Sequence, residues 1–253
     1  IEAKNQILKV NIGELVHDDG RMMRTPDVLA LGEDNDLAVV TIDELEKWRE
    51  RYDRVELVAK TVLPTHFGKF KLLGYRDLRT GASHVALISG ELGDNPVVRV
   101  HSECLTGDAL GSMRCDCGEQ LELSQEIIGK EGGVLVYLRG HEGRGVGLMA
   151  KLEAYSLQDN GADTVDAQTL LGMPIDAREY GAAVAILQDL GVDKVQLLTN
   201  NPEKSQELVK LGIAVSKVRP IVTGITEENA RYLSTKRDRM GHKLPEHLVP
   251  KEA

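Results

Sequence analysis

Apolar positions in the first 58 residues are few and are set among many charged residues. The run LAVV at 37–40 predicts a short buried strand. Thr41 and Glu44 have the spacing of a capping box, which predicts that a helix begins there. The apolar residues that follow recur at helical spacing and predict one stripe, formed by Ile42, Leu45, Trp48, Tyr52 and Val55.

From about residue 59 the pattern changes to apolar runs of strand length. Runs at 68–75, 84–92, 97–103, 133–139 and 194–199 predict strands, and helical periodicity predicts helices near 119–130, 146–159, 179–190, 202–211 and 227–238. Strands come in succession first and alternate with helices later. This order predicts an α/β fold, with a mixed sheet and flanking helices, whose sheet is antiparallel early and crossover-connected later. We expect a junction region at 1–58 and a catalytic domain at 59–253.

Composition narrows the class of protein. Hydrophobic residues make up 42% of the 253 residues, while the net charge of −9 argues against a surface that binds nucleic acid or membrane. Neither a transmembrane run nor a signal-peptide pattern is present in the sequence. The three cysteines are an odd number, which disfavours a closed disulfide framework. We therefore expect a cytoplasmic protein.

All three cysteines lie in one stretch, HSECLTGDALGSMRCDCGEQ at 101–120. A single cysteine is most often a small core residue, and Cys115 and Cys117 are poorly placed to form a disulfide with each other. In an extended segment, however, residues i and i+2 point to the same side, so both thiolates could reach one metal ion. Gly118 would then allow the chain to turn away. With Cys104 as a third thiolate, the spacing favours Zn²⁺.

Three protein ligands leave a fourth zinc position for water, which is typical of a catalytic site. His101 or Asp116 could fill that position instead and make the site structural. Catalytic zinc activates water, and Cys-rich zinc sites in deaminases attack ring carbons of nucleobases. The chain lacks the deaminase signature, so the cysteines by themselves indicate only hydrolysis of a purine or pyrimidine ring.

A glycine-rich stretch, RGHEGRGVGL at 139–148, precedes a predicted helix and is suited to an anion. Arg144 adds a guanidinium group that fits phosphate. Glu142 could accept hydrogen bonds from N1–H and the 2-amino group of guanine, or could be an ordinary solvated loop residue.

Two later stretches carry further candidates. In LLTNNPEK at 197–204, Asn201 and Pro202 predict a capped helix start, which leaves Thr199 and Lys204 free to bind an anion. In PIDAREYG at 174–181, Asp176 is either a helix N-cap or a functional carboxylate. Arg178 is predicted in the first helical turn, where a cation opposes the helix dipole unless an anion is bound. Tyr155 falls on the apolar stripe of the helix at 146–159, a position that is more often core than catalytic.

With these residues assembled, the chain resembles GTP cyclohydrolase II of riboflavin biosynthesis over roughly residues 57–243. The resemblance is carried by RVHSECLTGD, RCDCG, HEGRGVGL, AYSLQD, DTVDA, LLTNNPEK and YLSTKRDRMGH, in family order and spacing. Three details depart from the usual pattern: Gly140-His141 precedes Glu142 where the family reads R-Q-E-G-R, DTVDA replaces D-T-V-E-A, and Gln168 stands where Asn is usual. None of them alters a functional position that the resemblance transfers.

The resemblance implies that GTP is hydrolysed to 2,5-diamino-6-(5-phosphoribosylamino)-4(3H)-pyrimidinone, formate and pyrophosphate, by a homodimer that uses one Zn²⁺ per chain and Mg²⁺ with the triphosphate. It assigns zinc to Cys104, Cys115 and Cys117, the base to Asp176, the phosphoryl-accepting nucleophile to Arg178 and a catalytic role to Tyr155. A protonated arginine is a poor nucleophile, so Arg178 could instead clamp a phosphate. The implied GTP contacts are Arg99, Val100, His101, Ser102, Glu103, Gln120, Glu142, Arg144, Thr164, Thr199 and Lys204.

The stretch GELVHDDGRMMRTPDVLAL at 13–31 resembles the last part of a 3,4-dihydroxy-2-butanone 4-phosphate synthase domain, which precedes GTP cyclohydrolase II in bifunctional proteins. The main motifs of that synthase are missing from the sequence. Together with the start at Ile1, this leads us to expect the second half of a bifunctional enzyme plus its junction, shortened by processing or by design.

Two other functions remain open at the level of sequence. A nucleotide-binding module with structural zinc would need a fourth protein ligand. A paralogue of the family could open the ring and stop at a formylated pyrimidine, although the presence of Tyr155 favours the full reaction.

Overall fold

The computed structural model describes residues 13–223 and 225–245, without the side chains at 47, 50–52, 164, 165 and 231. The chain divides into two compact units, residues 1–47 and 48–253. Whether residues 1–58 are a synthase remnant and junction stays a prediction, as does the catalytic domain at 59–253. No described helix is long and apolar enough to cross a membrane.

The first unit contains the helix α1, Thr25–Asp34. The predicted strand at 37–40 is wrong, since these residues have no regular structure and Leu37 and Val40 are each 62% exposed. Leu37 N donates to Gly32 O at 2.8 Å, and a Cβ at Gly32 would lie 2.4 Å from Val39 Cγ2. The run therefore packs back on α1, and among the described residues it pairs with no strand.

The predicted capping box is confirmed. Thr41 N donates to Glu44 Oε2 at 2.9 Å, and Glu44 N donates to Thr41 Oγ1 at 3.2 Å. The helix α2 that follows spans Ile42–Tyr52. Ile42, Leu45 and Trp48 of the predicted apolar stripe lie in α2, but their side chains are exposed. Val55 does not belong to the helix, since it begins a strand. Tyr52 has a side chain outside the described part of the chain.

Seven strands form one sheet in the order β1-β2-β3-β5-β4-β6-β7. They are β1 Val55–Thr65, β2 Gly68–Asp77, β3 Ser83–Ser89, β4 Val97–Ser102, β5 Gly133–Leu138, β6 Lys194–Leu198 and β7 Ala214–Arg219. Neighbours from β1 to β5 run antiparallel, and β5, β4, β6 and β7 run parallel. This confirms the mixed sheet. Its edge strands β1 and β7 were not predicted.

In the described part of the chain, six α-helices follow the first four strands: α3 Cys117–Glu131, α4 Leu148–Asp159, α5 Thr164–Leu170, α6 Gly181–Asp189, α7 Pro202–Lys210 and α8 Ala230–Met240. Five were predicted within a few residues, and only the short α5 was not. Asn201 caps α7 by accepting from Glu203 N at 2.9 Å, as predicted.

The core lies on both faces of the sheet. Val134, Val136 and Leu138 of β5 pack with α6 on one face, while Leu135 packs with Ile128 of α3 on the other. Because helices cover both faces, the central strands are almost continuously apolar. The parallel strands β4, β5 and β6 end at the same edge, where α/β folds usually bind ligands.

Candidate active site

The loops that leave this edge carry the candidate residues. Cys104 follows β4, Glu142 follows β5 and Thr199 follows β6. Residues distant in the sequence thus meet because their strands end side by side.

The three cysteine sulfurs form a compact cluster. Their Sγ atoms all lie within 4.8 Å of one another, and Cys104 Sγ is 3.7 Å from Cys115 Sγ. A tetrahedral Zn²⁺ with Zn–S bonds of about 2.3 Å would place its sulfurs about 3.8 Å apart. The donor set and the spacing of Cys104, Cys115 and Cys117 therefore fit zinc.

Gly107 leaves room for this cluster. It lies in a π-helical turn, Leu105–Ala109, a form of helix that is frequent at functional sites. A Cβ at Gly107 would lie 2.8 Å from Cys115 Sγ and 2.9 Å from Cys117 Cβ. The turn can approach the sulfurs only because residue 107 has no side chain.

Cys115 and Cys117 do not lie in an extended segment, so that prediction is wrong. Cys115 lies in a bend and Cys117 is the first residue of α3, whose N-terminus favours a thiolate. Gly118 also continues α3 and does not turn the chain away. A Cβ there would lie 2.5 Å from Gly107 O, so its role is to admit the π-helical turn.

The two side chains considered as a fourth ligand have other partners. His101 Nε2 lies 3.1 Å from both carboxylate oxygens of Asp108. Asp116 accepts from Lys236 Nζ at 2.9 Å and from Gln120 Nε2 at 2.5 Å. Among the described residues, the metal-ligand cluster at this site contains the three cysteines alone.

Glu142 is buried against the cysteine loop. Its Oε1 accepts from Lys151 Nζ at 2.6 Å, and its Oε2 accepts from Leu105 N at 2.6 Å. Lys151 Nζ also lies 3.1 Å from Cys104 Sγ. Hydrogen bonds from Cys115 and Cys117, aided by the charge of Lys151, lower the pKa of Cys104 despite its burial. Lys151 therefore joins the carboxylate to the sulfur cluster.

Tyr155 faces the same cleft and is not a core residue. Its hydroxyl lies 3.3 Å from Thr106 Oγ1, which in turn accepts from Lys151 Nζ at 2.8 Å. Burial raises the pKa of Tyr155, so the hydroxyl stays protonated at neutral pH. The side chain can therefore donate a proton or a hydrogen bond.

The glycine-rich loop contains a tight turn at Glu142–Gly145. Arg144 has a positive φ of 63°, which is uncommon for a residue with a side chain. Its carbonyl accepts from Ala177 N at 2.9 Å, and a Cβ at Gly145 would lie 3.0 Å from Ala177 C. The loop thus packs directly against the segment that carries Asp176 and Arg178.

Asp176 and Arg178 form an ion pair with each other. Arg178 Nε donates to the two carboxylate oxygens of Asp176 at 2.9 and 3.1 Å. Although burial opposes both shifts, this pairing lowers the pKa of Asp176 and raises the pKa of Arg178. The helix α6 begins only at Gly181, so Asp176 is not its N-cap, which was one of the two alternatives, and the prediction of Arg178 in its first turn is wrong.

Two adjoining clefts bring the candidates together. The first, here called the metal cleft, is lined by the three cysteines, Glu142 and Tyr155. The second, here called the cationic cleft, is lined by Arg99, Lys204 and other residues. The clefts share the walls Ser102, Cys117, Arg144, Arg178 and Tyr232. A ligand with a base and a phosphate chain could therefore extend from one into the other.

The cationic cleft carries strong positive charge. Five cationic side chains line it, and the described lining residues include no aspartate or glutamate: Arg99, Arg144, Arg178, Lys204 and Lys236. Lys204 donates to Val100 O at 2.8 Å, and burial together with repulsion from Arg99 and Arg178 lowers its pKa. Arg99 Nε and Arg144 Nη2 are buried without a hydrogen-bond partner among the described residues. These groups suit an anionic ligand.

The other predicted contacts are placed unevenly. His101, Gln120 and Thr199 line the cationic cleft, and Glu103 lines the metal cleft. Val100 is fully buried in the core, so only its backbone can contribute. The side chain of Thr164 lies outside the described part of the chain.

Several polar residues at the site were not anticipated. Asp108 accepts from Cys104 N at 3.0 Å and from Tyr137 Oη at 2.8 Å, and Lys151 and Lys236 are buried ion-pair partners. The only sequence pattern that could have indicated Lys151 is its position three residues after Leu148 in α4. This spacing places it on the face of α4 that turns to Glu142.

Comparison with known proteins agrees with the geometry. The family model for GTP cyclohydrolase II matches residues 56–220. The chain is 53% identical over 235 residues to the riboflavin biosynthesis protein RibBA of Salinispora tropica and 49% identical over 231 residues to that of Nocardia farcinica. These matches cover 91% and 90% of this chain but 59% and 56% of the relatives.

One solved structure that the chain matches is RibBX of A. baumannii, a two-domain 3,4-dihydroxy-2-butanone 4-phosphate synthase, with 26% sequence identity. The match covers 83% of this chain and 52% of that chain. Its TM-score of 0.43 is too low to assign a shared fold. The match to residues 56–220 spans more than half of the sequence and includes the cysteine cluster, Glu142 and the Asp176–Arg178 pair. The chain belongs to the GTP cyclohydrolase II family of hydrolases.

Proposed function

We propose that the chain hydrolyses GTP to 2,5-diamino-6-(5-phosphoribosylamino)-4(3H)-pyrimidinone, formate and pyrophosphate, the first step of riboflavin biosynthesis. The main support for this proposal is that the metal cleft, which contains the three thiolates, adjoins the cationic cleft and shares lining residues with it. A guanine base would lie near the sulfurs and its triphosphate among the cations.

Cys104, Cys115 and Cys117 would hold one Zn²⁺ per chain. Zinc bound by three thiolates keeps a fourth position for water and supplies the activated water that hydrolysis requires. Gly107 keeps the space at the sulfurs open, and Asp108 fixes the backbone of Cys104.

Glu142 would recognise the guanine. Each carboxylate oxygen can accept two hydrogen bonds, and Lys151 and Leu105 N use one position on each oxygen. The remaining positions can accept N1–H and the 2-amino group of guanine, while Lys151 stabilises the negative charge. Tyr155, with its protonated hydroxyl, would provide the acidic group near the reacting ring.

Arg99, Arg144 and Lys204 would hold the triphosphate together with Mg²⁺. Arg178 is better suited to clamp a phosphate than to attack it, because its bond to Asp176 keeps the guanidinium protonated. In this proposal Asp176 orients Arg178, and the lowered pKa of the carboxylate makes it a weak general base.

We further propose that residues 13–31 derive from a 3,4-dihydroxy-2-butanone 4-phosphate synthase domain. The support is their sequence resemblance and the match to the RibBA relatives, which covers 91% and 90% of this chain and so extends beyond residues 56–220. A cytoplasmic homodimer is part of the same proposal and rests on the family resemblance.

The test is to incubate the full chain with GTP, Zn²⁺ and Mg²⁺ and to quantify formate, pyrophosphate and GTP. Equimolar formate and pyrophosphate per GTP consumed are expected. An opened ring without formate would assign the chain to the paralogues that stop at a formylated pyrimidine. Bound GTP without turnover, with four protein ligands on zinc, would indicate a structural-zinc module instead.

A further inference from the structure

The helix α8 lies beyond residue 220, where the family match ends, yet it contributes to the walls of both clefts. Tyr232 lines the metal cleft and the cationic cleft, and Lys236 lines the cationic cleft. None of the functions assigned above uses these two side chains.

Lys236 is a buried cation on a defined support. Its Nζ donates to Asp116 Oδ1 at 2.9 Å and lies 4.2 Å from the centre of the Tyr232 ring. Asp116 also accepts from Gln120, whose Oε1 accepts from Arg99 Nη2 at 2.7 Å. The side chains of Asp116 and Gln120 therefore connect Lys236 to Arg99. Both Lys236 and Arg99 line the cationic cleft.

The charges around this cleft are unbalanced. Asp176 pairs with Arg178, and Asp116 pairs with Lys236. By contrast, the hydrogen-bond partners of Arg99, Arg144 and Lys204 among the described residues are amide or carbonyl oxygens. Buried cations without counter-charges are costly, so an anion with several charges would stabilise the group as a whole.

We propose that Lys236 is a phosphate-binding residue of the substrate site; this rests on the proposed GTP substrate. An ammonium group has three N–H donors, of which Asp116 takes one, while the nitrogen lies over the ring of Tyr232. A remaining N–H donates to an oxygen of the phosphate chain. Asp116 holds Lys236 in place and keeps it charged, so α8 completes the anion site that the loops after β4, β5 and β6 begin.

The test uses isothermal titration of the full, zinc-loaded chain with three probes: inorganic tripolyphosphate, GTP and guanosine. Lys236→Gln removes the charge but can still donate to Asp116. We expect this variant to bind tripolyphosphate and GTP about tenfold or more weakly, as for loss of a charge-assisted hydrogen bond. Its affinity for guanosine should be unchanged. Lys236→Arg should restore most of the affinity.

Arg239→Gln is the matched control, because Arg239 lies on the same helix but pairs with Asp163 and Asp166 at an exposed position. It should change each affinity by less than about twofold, as expected for a surface ion pair. Should Lys236→Gln fail to fold, the double variant Lys236→Gln with Asp116→Asn replaces the ion pair by two amides, and the same affinities are expected of it.

Unchanged tripolyphosphate affinity in the Lys236 variants would overturn the proposal, even if the chain turns over GTP. An equal loss for guanosine would overturn it too, since that would indicate a packing role. If the chain does not turn over GTP, the proposed function is refuted. If Lys236→Gln still lowers the affinity for tripolyphosphate in that case, Lys236 remains an anion-binding residue.

Discussion

The ammonium nitrogen of Lys151 lies 2.6 Å from a carboxylate oxygen of Glu142, and the two side chains are only 12% and 9% exposed. A buried ion pair acts as a unit, because removing one partner leaves the other charge uncompensated. The same nitrogen lies 3.1 Å from Cys104 Sγ. The carboxylate proposed to read the base is thus linked to the proposed metal ligands through one side chain.

The first prediction concerns this carboxylate. Glu142→Gln should reduce the preference for GTP over inosine triphosphate, because inosine triphosphate differs only in lacking the 2-amino donor. The expected loss of discrimination is about 1.5–3 kcal/mol, as for a hydrogen bond to a charged group. The ratio of kcat/KM for the two nucleotides measures it.

Glu153→Gln is the control, since Glu153 is an exposed residue of α4. Its preference for GTP should equal that of the wild type. If Glu142→Gln discriminates as well as the control does, Glu142 does not read the 2-amino group.

The second prediction concerns the space at the sulfurs. Gly107→Ala places a methyl group 2.8 Å from Cys115 Sγ, so the π-helical turn must shift away from the cluster. Zinc affinity, measured by competition with a chromophoric chelator, should fall by at least about tenfold, as when support around a metal site is disturbed. Gly93→Ala, where no atom lies within 4 Å of the new Cβ, should bind zinc normally. Equal zinc affinity in both variants would rule out the proposed role of Gly107.

The third prediction concerns the buried Arg54, which pairs with Asp77 and also with Glu179, the residue after Arg178. Arg54 Nε and Nη2 donate to Asp77 at 2.9 and 2.8 Å, and the two side chains are 2% and 1% exposed. Arg54→Ala leaves Asp77 buried with its charge unpaired and should lower the free energy of unfolding by about 3–5 kcal/mol. Urea denaturation measures the change.

Arg76→Ala serves as the comparison, because Arg76 and Glu56 are both more than half exposed and lie 3.5 Å apart. Arg76→Ala should lower the free energy of unfolding by less than about 1 kcal/mol. A similar loss of unfolding free energy in the two variants would show that the ion pairs of Arg54 stabilise the fold no more than a surface pair does.

Much of this architecture is predictable from sequence, because the central strands are apolar enough to be recognised alone. The edge strands β1 and β7 are harder, since their exposed sides carry polar residues such as Lys60 and Lys217. The run at 37–40 was predicted wrongly for the opposite reason: its residues are apolar, but no strand in the described part of the chain pairs with them.

The candidate site shows a similar division. Spacing is enough to suggest a metal site at the cysteines, although the segment is bent and not extended. The partners of the functional residues depend on tertiary contacts across many positions, as for Lys236 with Asp116. Such pairs leave no periodic signal along the chain, so only the structure reveals them.

The fourth prediction concerns pH. Burial, followed by the charge of Arg178, lowers the pKa of His141 from 6.5 to about 3. Between these values the unfolded chain binds a proton that the folded chain does not, so stability decreases as the pH falls from 6.5. The contribution is at most about 1.4 kcal/mol per pH unit. His141→Asn, at saturating zinc, should therefore show a shallower fall in unfolding free energy between pH 6.5 and 5.5.

His66→Asn is the matched control, because His66 is exposed. It should keep the wild-type slope over the same pH range. A wild-type slope in His141→Asn as well would mean that His141 takes up its proton equally in the folded and unfolded chain.

The most direct measurement of the central claim combines zinc content with product formation in Cys115→Ser. A neutral hydroxyl is a poor zinc ligand, and Cys115 Sγ lies 3.7 Å from Cys104 Sγ within the cluster. The wild-type chain should contain one zinc and release formate from GTP, whereas the folded variant should lack zinc and release neither formate nor an opened ring. Full zinc occupancy with normal GTP turnover in Cys115→Ser would contradict the assignment of the three cysteines as the catalytic metal site.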